Sequence, residues 1–322
     1  MRRDVEPTAT EEGSESIHCS ICDAIDESTI RPIPILVLKG TWKQDRNGWW
    51  YDRGDGTYPK DGFEEIEGTT YYFGPSGYMK TGWVEDEGAW YYFAASGAMV
   101  TDWQIINNVW YYFDDEGEMQ TGLQEISGAK YYFTTSGAMK TGWQQADGIW
   151  YYFAASGAAV KGWQQISGVW YYFNDEGEMQ TGLQTIGGKQ YYFEASGAMA
   201  TGWKQLDGTW YYFDASGAGT TGWQKIGSIW YYFNNEGKML TGLQKIGNAT
   251  YYFGSNGAMA TGWQKIDNAW YYFESSGAMA TSKWVGDYYM LDDGVMATNQ
   301  WIDGKYYVGA DGKWIPGYAA AG

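Results

Sequence analysis

The chain of 322 residues is 19% aromatic and contains 46 glycines but only six prolines. This composition excludes a disordered chain, and it is also unlike that of a soluble globule with one large core. A net charge of −18 argues against nucleic acid and anionic membranes as direct ligands and favours a cationic or neutral partner, although solubility alone explains the charge equally well.

Residues 1–40 are acidic and unlike the rest of the chain, and we interpret them as an irregular linker or the remnant of an upstream domain. Cys19 and Cys22 lie in this segment beside the only histidine, His18. A tetrahedral zinc site needs four ligands and at most three cluster here, so we expect no metal site and no cofactor. The two cysteines are then either part of that remnant or a local staple.

The sequence contains no candidate membrane span. No apolar run approaches the roughly 20 residues that cross a bilayer, and the longest candidate is the short run 33–38. Because no apolar stretch follows Met1, the start of the chain does not read as a signal peptide. If the protein is secreted, we expect its leader to lie outside this chain.

From residue 41 onwards the chain is repetitive. The triplet Tyr-Tyr-Phe occurs eleven times between Tyr71 and Phe273, always twenty residues apart. A fixed short period indicates one small unit that has been copied and stacked. We predict a repeat array over residues 41–316, with an irregular first unit at 41–63, shorter capping units from about residue 281 and a tail at 317–322.

Each unit has the pattern of a β-hairpin. The dipeptide Ser167-Gly168 lies between two short runs, and a two-residue turn there would pair Ile166 with Val169 and Trp163 with Tyr172. A single hairpin is marginal in water, so the copies must stack on one another. The predicted fold class is therefore all-β, a solenoid of stacked β-hairpins.

The two faces of the hairpin differ. Strand alternation places Trp163, Trp170 and Tyr172 on one face, and the first tyrosine and the phenylalanine of the triplet on the other. The position of Trp170 is taken by Lys130 in another copy, and a buried lysine without a partner would cost several kcal/mol. We therefore expect the tryptophan face to point outward and the other face to form the core.

A longer period runs through the short one. Every third copy lacks both tryptophans, and this loss recurs at a spacing of 60 residues. The replaced pairs are Phe63 with Thr70, Leu123 with Lys130, Leu183 with Gln190, and Leu243 with Thr250. A solenoid with about three hairpins per superhelical turn would produce this rhythm, and so would duplication of a 60-residue block. The tryptophans of a pair act together under either explanation.

Two indoles and a nearby tyrosine form a box of aromatic faces, and such a box attracts organic cations, quaternary ammonium ions among them. Aromatic platforms also pack on the apolar faces of sugar rings, and tryptophans that only seal adjacent hairpins are a third explanation. The polar residues found at the same positions argue against packing alone.

These motifs resemble a known family. The sequence Thr261-Gly262-Trp263, followed by Trp270 to Phe273 and by Gly277-Ala278-Met279, is similar to the choline-binding, or cell-wall-binding, repeats of Gram-positive surface proteins. The opening motif at 48–51 and 55–61 is similar to the first repeat of pneumococcal autolysin-type choline-binding modules. The resemblance covers about residues 41–314. The leucine-containing copies look more like repeats of clostridial toxins and glucan-binding domains, which bind carbohydrate.

The resemblance implies a left-handed superhelix that holds choline between consecutive hairpins. Each cage takes two tryptophans from one hairpin and an aromatic residue from the next, and a methionine often closes it. The choice of tyrosine is our inference from strand alternation, and we expect weaker sites near Ala159 and Gly219, where methionine is missing. The implied ligand-binding sets are Trp83, Trp90 and Tyr112; Trp103, Trp110 and Tyr132; Trp143, Trp150 and Tyr172; Trp163, Trp170 and Tyr192; Trp203, Trp210 and Tyr232; Trp223, Trp230 and Tyr252; and Trp263 with Trp270.

The function that the resemblance implies is non-catalytic targeting to the cell wall, through choline or phosphocholine of teichoic acids, by an extracellular protein that forms end-to-end homodimers. The alternative is a carbohydrate-binding repeat domain for a glucan or a cell-surface glycan. We expect no enzyme activity, because the only histidine lies outside the array and carboxylates such as Asp114 belong to repeated connectors.

Overall fold

A computed structural model of the chain describes residues 2–8, 12–20, 22–34 and 39–318. The chain forms two compact units, residues 1–160 and 161–322. The described part of both units consists of β-strands and turns, with no helix among them. Accordingly, that part offers no helix of the length and apolarity that a bilayer crossing demands. The all-β fold class is confirmed, whereas the handedness and the number of hairpins per turn stay predictions.

The first 40 residues are not irregular throughout, as the sequence suggested. They contain an antiparallel three-stranded sheet in the order β1 (Arg2–Val5), β2 (Gly13–His18) and β3 (Ile25–Ile33). The pattern was missed because these strands are largely exposed, and the fully buried side chain is the polar Ser16. Part of the apolar run 33–38 lies outside the described residues.

The segment between β2 and β3 carries the two cysteines, and both are exposed. One ring nitrogen of His18 is hydrogen-bonded to the carboxylate of Asp4, and the other lies 3.3 Å from Asp23. Among the described residues, no group of three or more histidines, cysteines and acidic residues is placed to hold a metal ion.

The array begins with hairpin β4–β5, Thr41–Asp45 and Gly48–Asp52, and ends with two short hairpins, β28–β29 (Lys283–Val285, Tyr288–Met290) and β30–β31 (Gln300–Ile302, Tyr306–Val308). Between them lie hairpins built from two five-residue strands. These are β6–β7 (Gly62–Ile66, Thr69–Phe73), β8–β9 (Gly82–Asp86, Ala89–Phe93), β10–β11 (Asp102–Ile106, Val109–Phe113), β12–β13 (Gly122–Ile126, Ala129–Phe133), β14–β15 (Gly142–Ala146, Ile149–Phe153), β16–β17 (Gly162–Ile166, Val169–Phe173), β18–β19 (Gly182–Ile186, Lys189–Phe193), β20–β21 (Gly202–Leu206, Thr209–Phe213), β22–β23 (Gly222–Ile226, Ile229–Phe233), β24–β25 (Gly242–Ile246, Ala249–Phe253) and β26–β27 (Gly262–Ile266, Ala269–Phe273).

The predicted register is confirmed. In β16–β17, Trp163 pairs with Tyr172 and Ile166 pairs with Val169. The turn residues Ser167 and Gly168 both have positive φ, 51° and 84°, which is the geometry of a type I′ turn and matches the twist of the strands. The same register recurs in every hairpin of two five-residue strands, including those with the turns Gly227-Ser228 and Gly247-Asn248, where only the glycine has positive φ.

Phenylalanine is the best-buried residue of the repeat. The last residue of each triplet is at most 1% exposed, and it forms a bridge with the residue six positions later, as Phe113 does with Met119. This bridge folds the connector back onto its own hairpin. The core of the array is therefore a row of phenylalanines along the hairpins, rather than one large interior.

The shorter C-terminal units close the second unit with a small core of their own. Ala297, Ile302 and Val308 are buried together, and Trp284 and Tyr289 pack against them. Aliphatic residues here take the place that phenylalanine holds in the regular copies. The sequence predicted shorter units from about residue 281, and the three-residue strands begin at Lys283.

Candidate functional site

The two tryptophans of a regular copy lie edge to face on one side of their hairpin. Trp83 and Trp90 have ring centroids 6.2 Å apart at an interplanar angle of 77°. In the other copies the ring centroids of this pair are 6.0–6.3 Å apart and the interplanar angle is 83–87°. The second tryptophan is the exposed one, with 41% of Trp90 accessible. The outward orientation predicted for the whole tryptophan face holds only for this second residue.

The first tryptophan is instead packed on the next hairpin. Trp83 contacts Tyr111 at 5.0 Å and Phe113 at 5.8 Å, and both rings belong to the face that the sequence assigned to the core. The tryptophan face of one hairpin therefore lies against the tyrosine-phenylalanine face of the following one. The recess between the two hairpins is walled by both faces.

This packing corrects the predicted third wall. The sequence analysis chose Tyr112, but Tyr112 packs on Trp103 of its own hairpin at 5.1 Å. The ring that the next hairpin contributes is the first tyrosine of the triplet, Tyr111. The same shift replaces the other predicted tyrosines, Tyr132, Tyr192, Tyr232 and Tyr252, by Tyr131, Tyr191, Tyr231 and Tyr251.

Methionine forms the fourth wall. A cavity of about 400 Å³ is lined by Trp83, Trp90, Tyr111 and Met119, with Thr135 and Ser136 at its edge. The backbone N–H of Met119 donates to the carbonyl of Trp90 at 2.7 Å. This hydrogen bond ties the connector of the second hairpin to the tryptophan strand of the first.

A glycine of the third hairpin supports the methionine. Gly137 has φ of 77°, and a Cβ on it would lie 2.1 Å from the sulfur of Met119. Only glycine tolerates both the backbone conformation and this close approach. Each cage is therefore built from three consecutive copies, which supply the tryptophan pair, the tyrosine with the methionine, and the supporting glycine.

The residues that the structure describes contain seven such sets, each complete within one unit, which we call cages. Their members are Trp42, Trp49, Tyr71 and Met79; Trp83, Trp90, Tyr111 and Met119; Trp103, Trp110, Tyr131 and Met139; Trp163, Trp170, Tyr191 and Met199; Trp203, Trp210, Tyr231 and Met239; Trp223, Trp230, Tyr251 and Met259; and Trp263, Trp270, Tyr288 and Met296.

The predicted pair Trp143 and Trp150 closes the first unit with ring centroids 6.2 Å apart. Tyr172, which the sequence assigned to that pair, belongs to the second unit and packs there on Trp163 at 5.2 Å.

One cage was missed in the sequence. Trp42, Trp49, Tyr71 and Met79 line a cavity of about 390 Å³ at the start of the array, and Trp42 contacts Tyr71 at 4.8 Å. The signal was available, because Trp42 and Trp49 are seven residues apart, like Trp83 and Trp90. The connector after this pair is irregular, so the pair does not fit the twenty-residue period.

The last cage differs in charge from the cages of Trp42 and Trp83. Trp263, Trp270, Tyr288 and Met296 line a cavity of about 380 Å³ whose edge is formed by Asp311. One oxygen of that carboxylate accepts the backbone N–H of Lys313 at 3.0 Å, which fixes its orientation in the turn. In the cage of Trp83 the corresponding edge is formed by neutral hydroxyl side chains.

Three of the four copies without tryptophan are closed at the tyrosine that corresponds to the cage tyrosine, whereas Tyr271, which faces the copy with Thr250, is half-buried. In one of the closed copies the ammonium of Lys130 lies 5.4 Å from the centroid of Tyr151, on the ring that corresponds to the cage tyrosine. Tyr151 is only 3% exposed, whereas its counterpart Tyr111 is half-buried. An internal cation thus covers the aromatic face that a cage leaves accessible.

A second copy is closed by an amide. Gln190 fills the corresponding place, since a Cβ on Gly237 would lie 3.0 Å from the Gln190 side-chain oxygen and 3.5 Å from the Tyr211 ring. Tyr211 is 8% exposed. The equivalent Tyr91 of the copy with Thr70 is 9% exposed, and its phenol donates to Glu118 at 3.1 Å.

The missing methionines belong to these closed copies. The N–H of Ala159 donates to the carbonyl of Lys130, and that of Gly219 donates to the carbonyl of Gln190, both at 2.8 Å. The long side chains of Lys130 and Gln190 therefore meet a small residue where a cage has methionine. The prediction that Ala159 and Gly219 weaken nearby tryptophan sites is wrong, because both lie beside copies that lack the tryptophans.

Comparison with known proteins agrees with this architecture. Models of the choline-binding repeat match residues 60–102, 100–141, 120–161, 160–182, 180–218, 220–242 and 240–284, and a second choline-binding repeat model matches residues 278–314. These matches extend over more than half of the chain, which therefore belongs to the choline-binding repeat family. No curated protein sequence matches it.

Among solved structures, CbpJ from Streptococcus pneumoniae is 35% identical over 73% of this chain and 99% of its own, with a TM-score of 0.53. Choline binding protein F from the same species is 35% identical over 80% of this chain and 98% of its own, with a TM-score of 0.49. The modular autolysin LytC from that species is 32% identical over 62% and 48%, with a TM-score of 0.44.

Proposed function

We propose that this chain is a non-catalytic module that binds the choline groups of teichoic acids and so attaches to the cell wall of a Gram-positive bacterium. The observation that carries the proposal is the repeated cage of two tryptophans, one tyrosine and one methionine. Aromatic walls attract a quaternary ammonium through their ring quadrupoles, and the methyl groups of the ammonium pack on the same surfaces.

The energetics suit a polymer rather than a single small molecule. A cation–π contact contributes about 2 kcal/mol when it is desolvated, so one open cage binds one choline weakly. Several cages on one chain convert later contacts into intramolecular events and raise the overall affinity by orders of magnitude. The net charge of −18 adds a general attraction for cationic groups.

The absence of catalysis and the extracellular location remain part of the proposal. His18 lies in the N-terminal sheet, where it is hydrogen-bonded to Asp4, and it is not among the residues that line the cages of Trp42, Trp83 and Trp263. Acidic residues of the connectors serve the turns, as when Asp114 accepts the backbone N–H of Glu118 at 2.8 Å. Cell-wall attachment and end-to-end dimerisation are properties that the family resemblance suggests for this chain.

Site-resolved titration tests the proposal. Each cage contains one methionine, so a full chain with ¹³C-methyl methionine reports every cage separately by NMR. Choline at millimolar concentration is expected to shift the methyl signals of cage methionines such as Met119 and Met139, and not that of Met99, which lies beside the closed copy of Thr70.

A matched variant provides the control. Trp90→Ala removes one wall of a single cage, so the Met119 response is lost while the Met139 response persists. Dextran and a panel of cell-wall glycans form the second arm. If choline shifts no cage methionine while a glycan shifts them, the carbohydrate-binding alternative is correct, and a response to neither ligand indicates a structural spacer.

A further inference from the structure

We propose that the first hairpin carries an additional site for an organic ammonium ion, outside the repeat pattern and distinct from the cage of Trp42 and Trp49. The site is a cavity of about 270 Å³ walled by three aromatic rings and one carboxylate, with Ser76 and Gly77 beneath them. These walls are Trp50, Tyr58, Tyr78 and Asp45.

The position of Trp50 explains why an aromatic face is available here. Trp50 pairs with Lys43 across the hairpin, just as Tyr71 pairs with Glu64 in the next copy. In the regular copies this position holds the tyrosine that packs on the first tryptophan of the preceding hairpin. Hairpin β4–β5 begins the array, and Trp50 instead meets Tyr58 edge to face at 6.2 Å and 75°.

Tyr58 takes the place of a cage methionine. A Cβ on Gly77 would lie 2.5 Å from the Tyr58 ring, as a Cβ on Gly97 would lie 2.0 Å from the sulfur of Met79. The first copy thus has tryptophan where others have tyrosine, and tyrosine where others have methionine. In the regular copies the preceding hairpin contributes a tryptophan pair at this place. No such pair precedes the first hairpin, and the rings of Trp50 and Tyr58 enclose the space instead.

The carboxylate of Asp45 supplies a charge that is missing from the linings of the Trp42 and Trp83 cages. The Tyr78 hydroxyl donates to one of its oxygens at 2.9 Å, and the Asn47 backbone N–H donates to the other at 2.7 Å. These hydrogen bonds, first that from Asn47 and then that from Tyr78, hold the pKa of Asp45 below its usual value. The ion pairs formed between described residues do not include Asp45.

An ionised carboxylate beside three ring faces selects a compact organic cation. The rings attract the positive charge and cover its carbon substituents, while the carboxylate balances the charge and accepts an N–H where the ammonium has one. Arg46, the next residue in the turn, is exposed, and it is the internal cation whose charge acts on Asp45. Replacing Arg46 by glutamine is therefore expected to tighten binding rather than weaken it.

The experiment uses the full chain labelled with 5-fluorotryptophan, and the signal of Trp50 is assigned from its loss in Trp50→Phe. Tetramethylammonium is the probe, and tert-butyl alcohol is the neutral control of similar shape. We expect the cation to shift the Trp50 signal in a saturable manner and the alcohol to leave it unchanged. Asp45→Asn removes the charge while its amide oxygen can still accept the Asn47 N–H of the turn, and it should weaken the response at Trp50 about fivefold without changing that at Trp90.

The outcomes separate this inference from the proposed function. If tetramethylammonium shifts Trp90 to saturation but leaves Trp50 unmoved, the additional site is refuted while the cages stand. If Asp45→Asn leaves the affinity at Trp50 unchanged, the carboxylate has no part in recognition and the inference is also wrong. A Trp50 response with no response at any cage would refute the proposed function alone.

Discussion

A closed copy should become a cage when the residues that close it are replaced by cage residues. We call such a closing pair, a long side chain that meets a small residue of the next copy, a plug. In the copy of Leu123, the ammonium of Lys130 covers Tyr151 at 5.4 Å, and Ala159 stands where a cage has methionine. The triple variant Leu123→Trp, Lys130→Trp, Ala159→Met supplies the missing tryptophan pair and the missing methionine. The tyrosine is already in place.

The magnitude follows from the contact that is removed. A cation within about 6 Å of a ring centroid contributes about 1 kcal/mol when half-buried, so Lys130→Ala alone should lower the stability by about that amount. It should also uncover Tyr151, which is 3% exposed in the native chain. The triple variant restores the packing with two indoles and should bind one more choline per chain than the wild type.

The assay is the choline titration with ¹³C-methyl methionine, in which the introduced methionine is its own reporter. Ala159→Met with Lys130 retained is the matched control. It should overpack the site at a cost of about 1–3 kcal/mol, and its new methyl signal should not respond to choline. If the triple variant folds but the signal of its new methionine does not shift with choline, the pair of Lys130 and Ala159 is not what closes the copy.

Three further predictions concern the cage supports, the acidic edge and pH. Gly137→Ala should lower the free energy of unfolding in urea by about 1–3 kcal/mol more than Gly128→Ala does, and it should also weaken choline binding at Met119. Both glycines have φ near 78°, but only Gly137 approaches a methionine. Equal losses of stability in the two variants would contradict the supporting role of Gly137. Asp311→Asn should weaken choline binding about fivefold at Met296 and leave Met119 unaffected, and the loss should shrink in high salt; an unchanged Met296 titration would show that the carboxylate does not reach the ligand. Burial, and then the hydrogen bond to Glu118, raise the pKa of Tyr91 to about 12, so its stabilising effect is complete below pH 10 and is lost as pH rises through 12. The melting temperature of Tyr91→Phe should therefore fall less than that of the wild type between pH 10 and 12. An equal fall in both proteins would argue against a stabilising role of the Tyr91 phenol.

The hairpin itself could be predicted from the sequence. The Ser167-Gly168 turn dictates a two-residue loop, and the loop dictates which residues pair, so the register was correct. Asp102 stands where other copies have glycine, and its φ of 64° is close to the 72° of Gly182, because aspartate adopts this conformation more readily than most residues. These are local properties, decided within about ten residues of chain.

The contents of the cage could be predicted only in part. Alternation along a strand separates Tyr111 from Tyr112, but it does not say which face of a hairpin meets the preceding one. The choice of Tyr112 followed from treating the tryptophan face as wholly outward, whereas Trp83 is packed against Tyr111. The stacking partner is a property of two hairpins and is invisible in the alternation of one.

The plugs could not be predicted because their parts are far apart in the sequence. Lys130 and Ala159 are separated by 29 residues, as are Gln190 and Gly219. Each pair matches a long side chain with a small one across two copies. Without the hydrogen bond that joins these positions, the loss of a methionine looked like damage to a tryptophan site.

The supporting contacts determine how such an array can be lengthened. A plug shares its two halves between neighbouring twenty-residue copies, so exchanging or deleting a single copy would bring Lys130 against a methionine or leave Ala159 beside an empty space. A block of three copies carries both halves and its own two tryptophan pairs. The unit that can be duplicated or deleted without breaking these contacts is therefore the block of 60 residues. Engineering a longer or shorter array should add or remove whole blocks, and with each block two tryptophan pairs.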